Sequence, residues 1–177
     1  MLFRSPDYFK VGEGTVKTVK SGGTAGITLA SLANGNTTTA GARQSATLDL
    51  GALWAERWRV DCQFDIAATA TAGSAINIYA SYSTTTGAGT GNTSGSDATY
   101  AGYSSNKDAS IVQTEFIGAL ICSATTGSQK ANVGIMFPKG RYVNFVIDNR
   151  SGAALTSTEA NQFVNLTPLE SSIEDTV

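Results

Sequence analysis

The sequence contains no histidine and only two cysteines, Cys62 and Cys122, among its 177 residues. Histidine is the usual proton shuttle near neutral pH and the commonest metal ligand, so its absence excludes Ser-His-Asp and Cys-His catalysis and most zinc sites. Two cysteines do not make a disulfide framework in a chain of this length, and we expect two buried thiols that pack as small apolar groups. We therefore predict no enzyme, no catalytic residue, no cofactor and no metal.

Charged residues are also scarce, because they make up 15% of the chain against about 25% in an average globular domain. The net charge of −2 provides no basic field for a nucleic acid, so no nucleic-acid partner is expected. The apolar runs are far shorter than the ~20 residues that a membrane helix needs, so no membrane partner is expected. The opening segment MLFRSPDYFK lacks the apolar core of a signal peptide, which predicts a protein that is not exported by the secretory route.

Small residues are abundant instead, since Gly, Ala, Ser and Thr account for nearly half of the chain. Short side chains suit tight turns and close contact between surfaces better than acid–base chemistry. The length fits one domain, and a domain of this size buries roughly 70% of the surface of its unfolded chain. We divide the chain into an N-terminal arm, 1–14, a β-sandwich domain, 15–169, and an acidic C-terminal tail, 170–177.

The clearest pattern in the chain is a strand at 58–66. Its apolar residues alternate strictly with polar ones, which places them on one face: Trp58, Val60, Cys62, Phe64 and Ile66. Shorter or weaker β patterns occur at 15–20, 26–32, 46–50, 76–83, 111–124, 131–138, 142–149 and 162–169. Within the 131–138 segment, we expect Val133, Ile135 and Phe137 to share one face.

Eight or nine strands without a convincing amphipathic helix predict an all-β protein. Long connections at 33–45 and 84–110 favour Greek-key crossings, and hence a jelly-roll-like antiparallel β-sandwich of about eight strands. An immunoglobulin-like sandwich is the alternative. The glycine-rich loop 84–107 is longer than loops usually are unless they are functional or disordered.

Exposed aromatic and apolar groups are the candidate contact residues. Four lie in the arm, where large apolar groups need a surface to cover them, and three lie further along the chain: Leu2, Phe3, Tyr8, Phe9, Trp54, Tyr100 and Tyr103. A partly disordered arm is one alternative. For the two loop tyrosines, the alternatives are that they fold beneath the loop and pin it, or that they bind a sugar.

The carboxylates do not form an evident catalytic or calcium site. Asp61 and Asp65 share a strand face about 13 Å apart, which is too far for the acid pair of a glycosidase. Asp97 and Asp108 could contribute to a Ca²⁺ site, but they lack the ordered spacing of an EF-hand loop.

Six segments of the chain carry a resemblance to a known family: RQSATLDLG (43–51), INIYASYS (76–83), SDATYAGY (96–103), FIGAL (116–120), FPKGRYVNFVIDNRSGAAL (137–155) and NLTP (165–168). They resemble small structural proteins of tailed bacteriophages, some of which are head decoration, or cement, proteins. The resemblance implies a β-sandwich on a capsid surface, a major capsid protein as partner, and a homotrimer made in the host cytoplasm. It supplies no catalytic residues.

Other functions remain open at this point. A receptor- or glycan-binding module of a phage head or tail fibre would carry exposed aromatic residues at its loop tips. A hydrolase with an unusual carboxylate site and a main shell-building jelly roll are further alternatives.

Overall fold

The computed structural model describes residues 8–13, 15–35, 41–52 and 55–174. Within these residues the chain forms eleven strands and one short α-helix. The strands are β1 (Tyr8–Glu13), β2 (Lys17–Val19), β3 (Ala42–Gln44), β4 (Leu48–Asp49), β5 (Arg57–Ile66), β6 (Ala75–Ser83), β7 (Ala98–Thr99), β8 (Glu115–Ile121), β9 (Gly127–Met136), β10 (Tyr142–Arg150) and β11 (Phe163–Glu174). The helix α1 spans Lys107–Ile111.

The strands form two antiparallel sheets that pack as a sandwich. The β5 sheet has the order β1-β11-β5-β9, with β2 paired to β11, and the β10 sheet has the order β7-β3-β10-β6-β8, with β4 paired to β10. Eight strands remain when β1 and β7 are left out and β3 and β4 are counted as one strand. In this count, one to eight along the chain are β2, β3 with β4, β5, β6, β8, β9, β10 and β11. The β5 sheet then has the order 1-8-3-6 and the β10 sheet the order 2-7-4-5. This is the jelly-roll order, so the predicted fold is confirmed and the immunoglobulin-like alternative is not found.

The core lies between the two sheets and follows the predicted alternation. In β5, all five apolar residues from Trp58 to Ile66 are buried. They face Ile76 and Ile78 of β6 and Phe145 of β10, whose side chains are fully buried in the same cluster. Burial of apolar side chains at this density is the main source of stability in a domain of this size.

The segment 26–32 is not a strand, which corrects the sequence prediction, although Ile27 and Leu29 are buried in the core. Two of its backbone N–H groups bond to carboxylates, while Ser31 donates to the Thr156 carbonyl and Leu32 to the Leu29 carbonyl. Thr28 donates to Asp97 Oδ1 at 3.0 Å, and Ala30 donates to Glu159. Carboxylates from distant parts of the chain therefore satisfy two of the donors that a strand would pair in a ladder.

The residues between β6 and β8, 84–114, form an outer layer on the β10 sheet. After β6 the chain crosses the outside of the sheet and forms β7, which pairs with β3 at the far edge. It then returns through α1 to β8. The sequence analysis predicted a Greek-key connection over 84–110, but β6 and β8 are directly paired neighbours in one sheet, so this connection returns to the adjacent strand. The outer layer explains why β10 is buried from Val143 to Asn149, since one face packs in the core and the other under this layer.

Two β-bulges lie side by side on the edge strands β8 and β9. In β8, Ile117 has no pairing partner on β6, although Phe116 and Gly118 on either side of it do. In β9, Val133 likewise has no pairing partner on β5, between Asn132 and Gly134, which do. Both residues turn inward and pack against the main core. The strands approach so closely that a Cβ on Gly118 would lie 2.2 Å from the Val133 carbonyl oxygen. The bulges therefore close this side of the sandwich where open edges would otherwise remain.

Candidate contact surface

One end of the sandwich gathers most of the exposed features. At this end β5 begins at Arg57, β9 ends at Met136, β6 ends at Ser83 and β8 begins at Glu115. We call it the ribbon end, because the terminal strands extend from it.

The ribbon consists of β1 paired with the last residues of β11. Leu169 pairs with Arg57 of β5 on one side and with Glu13 on the other, and beyond Leu169 the ladder continues only with β1, up to Tyr8 opposite Glu174. Five residues of strand correspond to about 17 Å. A two-stranded ribbon is marginally stable by itself in water, so a surface that covers it would stabilise it.

The ribbon pairs residues from the two segments that the sequence analysis named the arm and the tail. Residues 8–13 and 170–174 pair with each other in one sheet, whereas the sequence analysis treated 1–14 and 170–177 as separate terminal segments. The ladder beside β11 is interrupted between Leu166, which pairs with Lys17 of β2, and Leu169. Pro168, which has no N–H to donate, lies in this gap and pairs with Trp58 of β5 on the other side.

An apolar corner lies at the ribbon end where the edges of the two sheets meet. It consists of Phe116 on β8 with Ile135 and Phe137 at the end of β9, which are 56%, 49% and 56% exposed. The bulge at Val133 shifts the alternation by one residue, so Met136 is buried and its neighbours face outward. The prediction that Val133, Ile135 and Phe137 share a face is wrong for this reason.

The sequence analysis missed the corner as a contact surface, although a signal was present. Gly118 and Gly134 lie in the interiors of their strands, and an isolated glycine in a strand pattern indicates a bulge or a close approach of backbones. A bulge at either glycine predicts that the residues beyond it change faces.

Ion pairs hold the loops around the corner. Arg141 donates to both carboxylate oxygens of Asp49, from Nε at 2.7 Å and from a terminal nitrogen at 2.6 Å. This pair and the Gly51 N–H lower the pKa of Asp49 to about 2. Lys139 pairs with Glu115 at 3.1 Å, which joins the loop after β9 to the start of β8.

A groove of about 410 Å³ opens beside the corner. It is lined by Tyr82, Ser83, Thr84, Lys139, Gly140 and Arg141. The Tyr82 hydroxyl is buried near the Glu115 carboxylate but out of hydrogen-bond geometry with it. Burial and the negative charge of Glu115 raise the pKa of Tyr82, so this hydroxyl stays protonated and can donate.

The predicted contact residues are distributed unevenly over the structure. Leu2, Phe3 and Trp54 lie outside the described residues. Tyr8 and Phe9 belong to β1 and pair with Glu174 and Ile173 in the ribbon.

The two loop tyrosines have different positions, although only three residues separate them. Tyr100 belongs to the outer layer and is fully buried between it and the β10 sheet, among Ala42, Ile111 and Val146, and its hydroxyl donates to the Gly91 carbonyl at 2.5 Å. It has no exposed surface for a second molecule, which corrects its prediction as a contact residue and supports the alternative that it pins the loop. Tyr103 is half exposed, and its role as a contact residue stays a prediction.

Ion pairs tie the outer layer to the sheet below it. The Lys107 ammonium is fully buried and donates to Asp148 and Asp108, each at 2.9 Å. Arg150 donates to the same two carboxylates, so the four side chains form a closed network. Asp97 separately accepts hydrogen bonds from Arg43 and Thr28. Asp97 and Asp108, which were weighed as Ca²⁺ ligands, thus belong to two different networks.

The two cysteines are buried and unpaired with each other. Burial is the largest cause that raises the pKa of the Cys62 thiol, to about 12, and it also raises that of Cys122. A thiol is nucleophilic only as the thiolate, so both groups are unreactive at neutral pH in the folded chain.

In the part of the chain that the structure describes, no three or more Cys, Asp or Glu side chains are grouped so that they could hold a metal ion. Among the same residues, no helix is long and apolar enough to cross a membrane. No protein-family model matches the chain, and no curated protein matches it significantly.

Proposed function

We propose that the chain is a structural virion protein that decorates a phage capsid and stabilises it by bridging capsomers. The observation that carries this proposal is the ribbon end, where a projecting two-stranded ribbon and an exposed apolar corner lie together on a rigid sandwich. Exposed apolar patches of this kind are typical of surfaces that bind another protein. The resemblance of several segments to phage decoration proteins supports the same conclusion.

In this proposal the partner is the major capsid protein and the protein lies on the outer surface of the virion as a homotrimer. Binding that exists only on the assembled shell stabilises that shell by mass action. Regular repetition of many weak contacts over a shell adds avidity, so no single contact needs to be strong.

The test is addition of the purified chain to undecorated heads of the phage that encodes it. We expect saturable co-sedimentation with the heads and a higher temperature of head rupture. Phe137→Asp at the ribbon end should lower the occupancy of the heads, whereas Ile121→Asp, at the opposite end and 64% exposed, is the matched control. No binding by the natural chain, or equal loss with both variants, would contradict the proposal.

The groove beside the corner favours a second candidate, a receptor- or glycan-binding module of a phage head or tail fibre. The hydroxyl groups of Ser83 and Thr84, next to the charged side chains of Lys139 and Arg141, are the kind of donors and acceptors that a sugar needs. Titration with bacterial surface saccharides, followed by NMR, tests this candidate. Shifts confined to the groove residues and lost in Ser83→Ala would support it, and an unchanged spectrum would exclude it.

A further inference from the structure

We propose that the side chains of Lys107 and Asp148 condense to an intramolecular isopeptide bond, which ties the outer layer covalently to the β10 sheet. The bond joins the side-chain nitrogen of Lys107 to the side-chain carbonyl carbon of Asp148 and releases one water. The inference goes beyond the proposed capsid role and does not depend on it, because its test uses the isolated chain.

The two reacting groups are already in contact. Lys107 Nζ lies 2.9 Å from Asp148 Oδ1, and the two side chains are enclosed, at 0% and 3% exposure. Lys107 begins α1 and Asp148 lies within β10, so regular structure holds both groups in place. Well-oriented groups in one molecule react as if at concentrations of about 10⁵–10⁸ M. Under that condition an amine and a carboxyl group, which do not condense in free solution at neutral pH, can form an amide.

The distribution of charge favours the amide over the ion pair. The network holds two cations, on Lys107 and Arg150, and two carboxylates, on Asp108 and Asp148. The bond removes the ammonium and the carboxylate that are buried most deeply. It leaves the partly exposed side chains of Arg150 and Asp108 as a neutral pair. Two charges in a site of low dielectric thus disappear, and with them the desolvation cost that a buried ion pair has to offset.

Asp108 provides the proton transfer that the condensation needs. Its Oδ1 lies 2.9 Å from Lys107 Nζ, within the reach of a general base. Asp108 takes one proton from the ammonium, and the lone pair freed on Nζ attacks the carboxyl carbon of Asp148. A second proton passes from Nζ to Oδ1 of Asp148, and Asp108 returns the first to the same oxygen. Oδ1 leaves as water with the electrons of its bond to carbon, and Nζ keeps its third proton.

Arg150 binds the oxygen that stays behind. Its Nε donates to Asp148 Oδ2 at 2.8 Å, whereas Lys107 binds Oδ1. A cation in this place stabilises the negative charge that develops on Oδ2 during the attack. After the water has left, the same N–H donates to the amide oxygen.

Intact-mass spectrometry of the purified natural chain, after denaturation, tests the proposal. The mass should be lower than that calculated from the sequence by one water, and denaturant should not restore it. Lys107→Arg should have its full calculated mass, because a guanidinium keeps the charge but is not a nucleophile at neutral pH. The matched control is Lys139→Arg in the exposed pair with Glu115, which should still lack the water.

A tryptic map locates the bond. Trypsin should not cleave after the modified Lys107 and should leave one branched peptide that joins 60–130 to 142–150. In chains sampled after synthesis, Asp108→Asn should slow the appearance of this peptide by about 10²-fold, because no base then lies beside Nζ. A natural chain at its full mass, or a missing water that persists in Lys107→Arg, overturns the proposal. The natural chain alone decides the result, so a variant that fails to fold leaves the test intact.

Discussion

Lys107 is the side chain whose environment departs most from what its chemistry favours. Its ammonium is fully buried, and two carboxylates lie 2.9 Å from it. Lysine is rarely buried without a partner, and the network with Asp148, Arg150 and Asp108 provides compensation here. The network joins α1 to β10, so these side chains attach the outer layer to the sheet.

Replacing Lys107 by Met should destabilise the fold by about 3 kcal/mol, because the buried Asp148 carboxylate loses one of its two cationic partners. Unfolding in urea measures the change. The matched control is Lys139→Met, whose ammonium is 66% exposed in its pair with Glu115 and should contribute less than about 1 kcal/mol. Equal losses of unfolding free energy in the two variants would show that the buried network contributes no more to stability than an exposed ion pair.

The lowered pKa values of Asp49 and Asp97 predict that the folded chain loses stability in acid. In the folded chain the pKa of Asp49 is lowered to about 2, through its bonds to Arg141 and Gly51. The pKa of Asp97 is also lowered: burial alone would raise it, but hydrogen bonds from Arg43 and Thr28 outweigh burial. A carboxyl whose folded pKa is below the unfolded value of about 3.9 stabilises the fold above that pH.

The free energy of unfolding should therefore decrease as the pH falls from about 4 to about 2, through the folded pKa values. Asp49→Asn should show a smaller decrease over this window, since it no longer exchanges that proton. Urea titrations at several pH values measure the effect, with Glu56→Gln as a control on an exposed carboxylate. An identical pH dependence in Asp49→Asn and the natural chain would contradict the assignment.

At the scale of elements, the paired bulges of β8 and β9 decide what the ribbon end exposes. They turn Ile117 and Val133 into the core and leave Phe116, Ile135 and Phe137 at the surface. The close approach of the strands depends on Gly118, since the nearest atom to an added Cβ would be a backbone oxygen that cannot rotate away.

Gly118→Ala should destabilise the sandwich by about 2 kcal/mol, because the added methyl group forces β8 and β9 apart. Gly26→Ala is the matched control: no atom lies within 4 Å of its added Cβ, so its stability should be unchanged or slightly higher. Thermal unfolding of both variants measures the difference. If Gly118→Ala is as stable as the control, the two strands can separate without cost and the bulges do not hold the edge.

The whole molecule is an eight-stranded jelly roll with two additions, the outer layer on one sheet and the ribbon at one end. The jelly roll buries Cys62 of β5 and Cys122, which directly follows β8, in the same core, at 3% and 2% exposure. Neither thiol is reachable unless the sandwich opens.

Alkylation of both thiols at mildly alkaline pH should consequently be slow in the folded chain and should increase with urea in parallel with global unfolding. Mass spectrometry of the labelled chain measures the extent of reaction. Ile121→Cys, with its new thiol on the surface, should react at once and serves as the positive control. Rapid labelling of Cys62 without denaturant would indicate local opening of β5.

The alternation in β5 and in the core-facing half of β10 could be predicted from sequence, because a strand with one face on a core has a period of two. Regions whose structure depends on contacts with residues distant in sequence could not be predicted in this way. Segment 26–32 has a β pattern, but its Thr28 and Ala30 N–H groups bond to Asp97 and Glu159, which are distant in sequence. Tyr100 and Tyr103 are similar in sequence context, and only the path of the outer layer buries one and exposes the other.

The sequence by itself determined the all-β class, the jelly-roll sandwich and the unreactive burial of its cysteines, because these follow from local alternation, turn residues and composition. Only the tertiary structure decided which surface is exposed for contact. The bulges shift the faces of two edge strands, and the ribbon joins residues from the two ends of the chain. Both depend on pairing between distant segments, which no local pattern encodes.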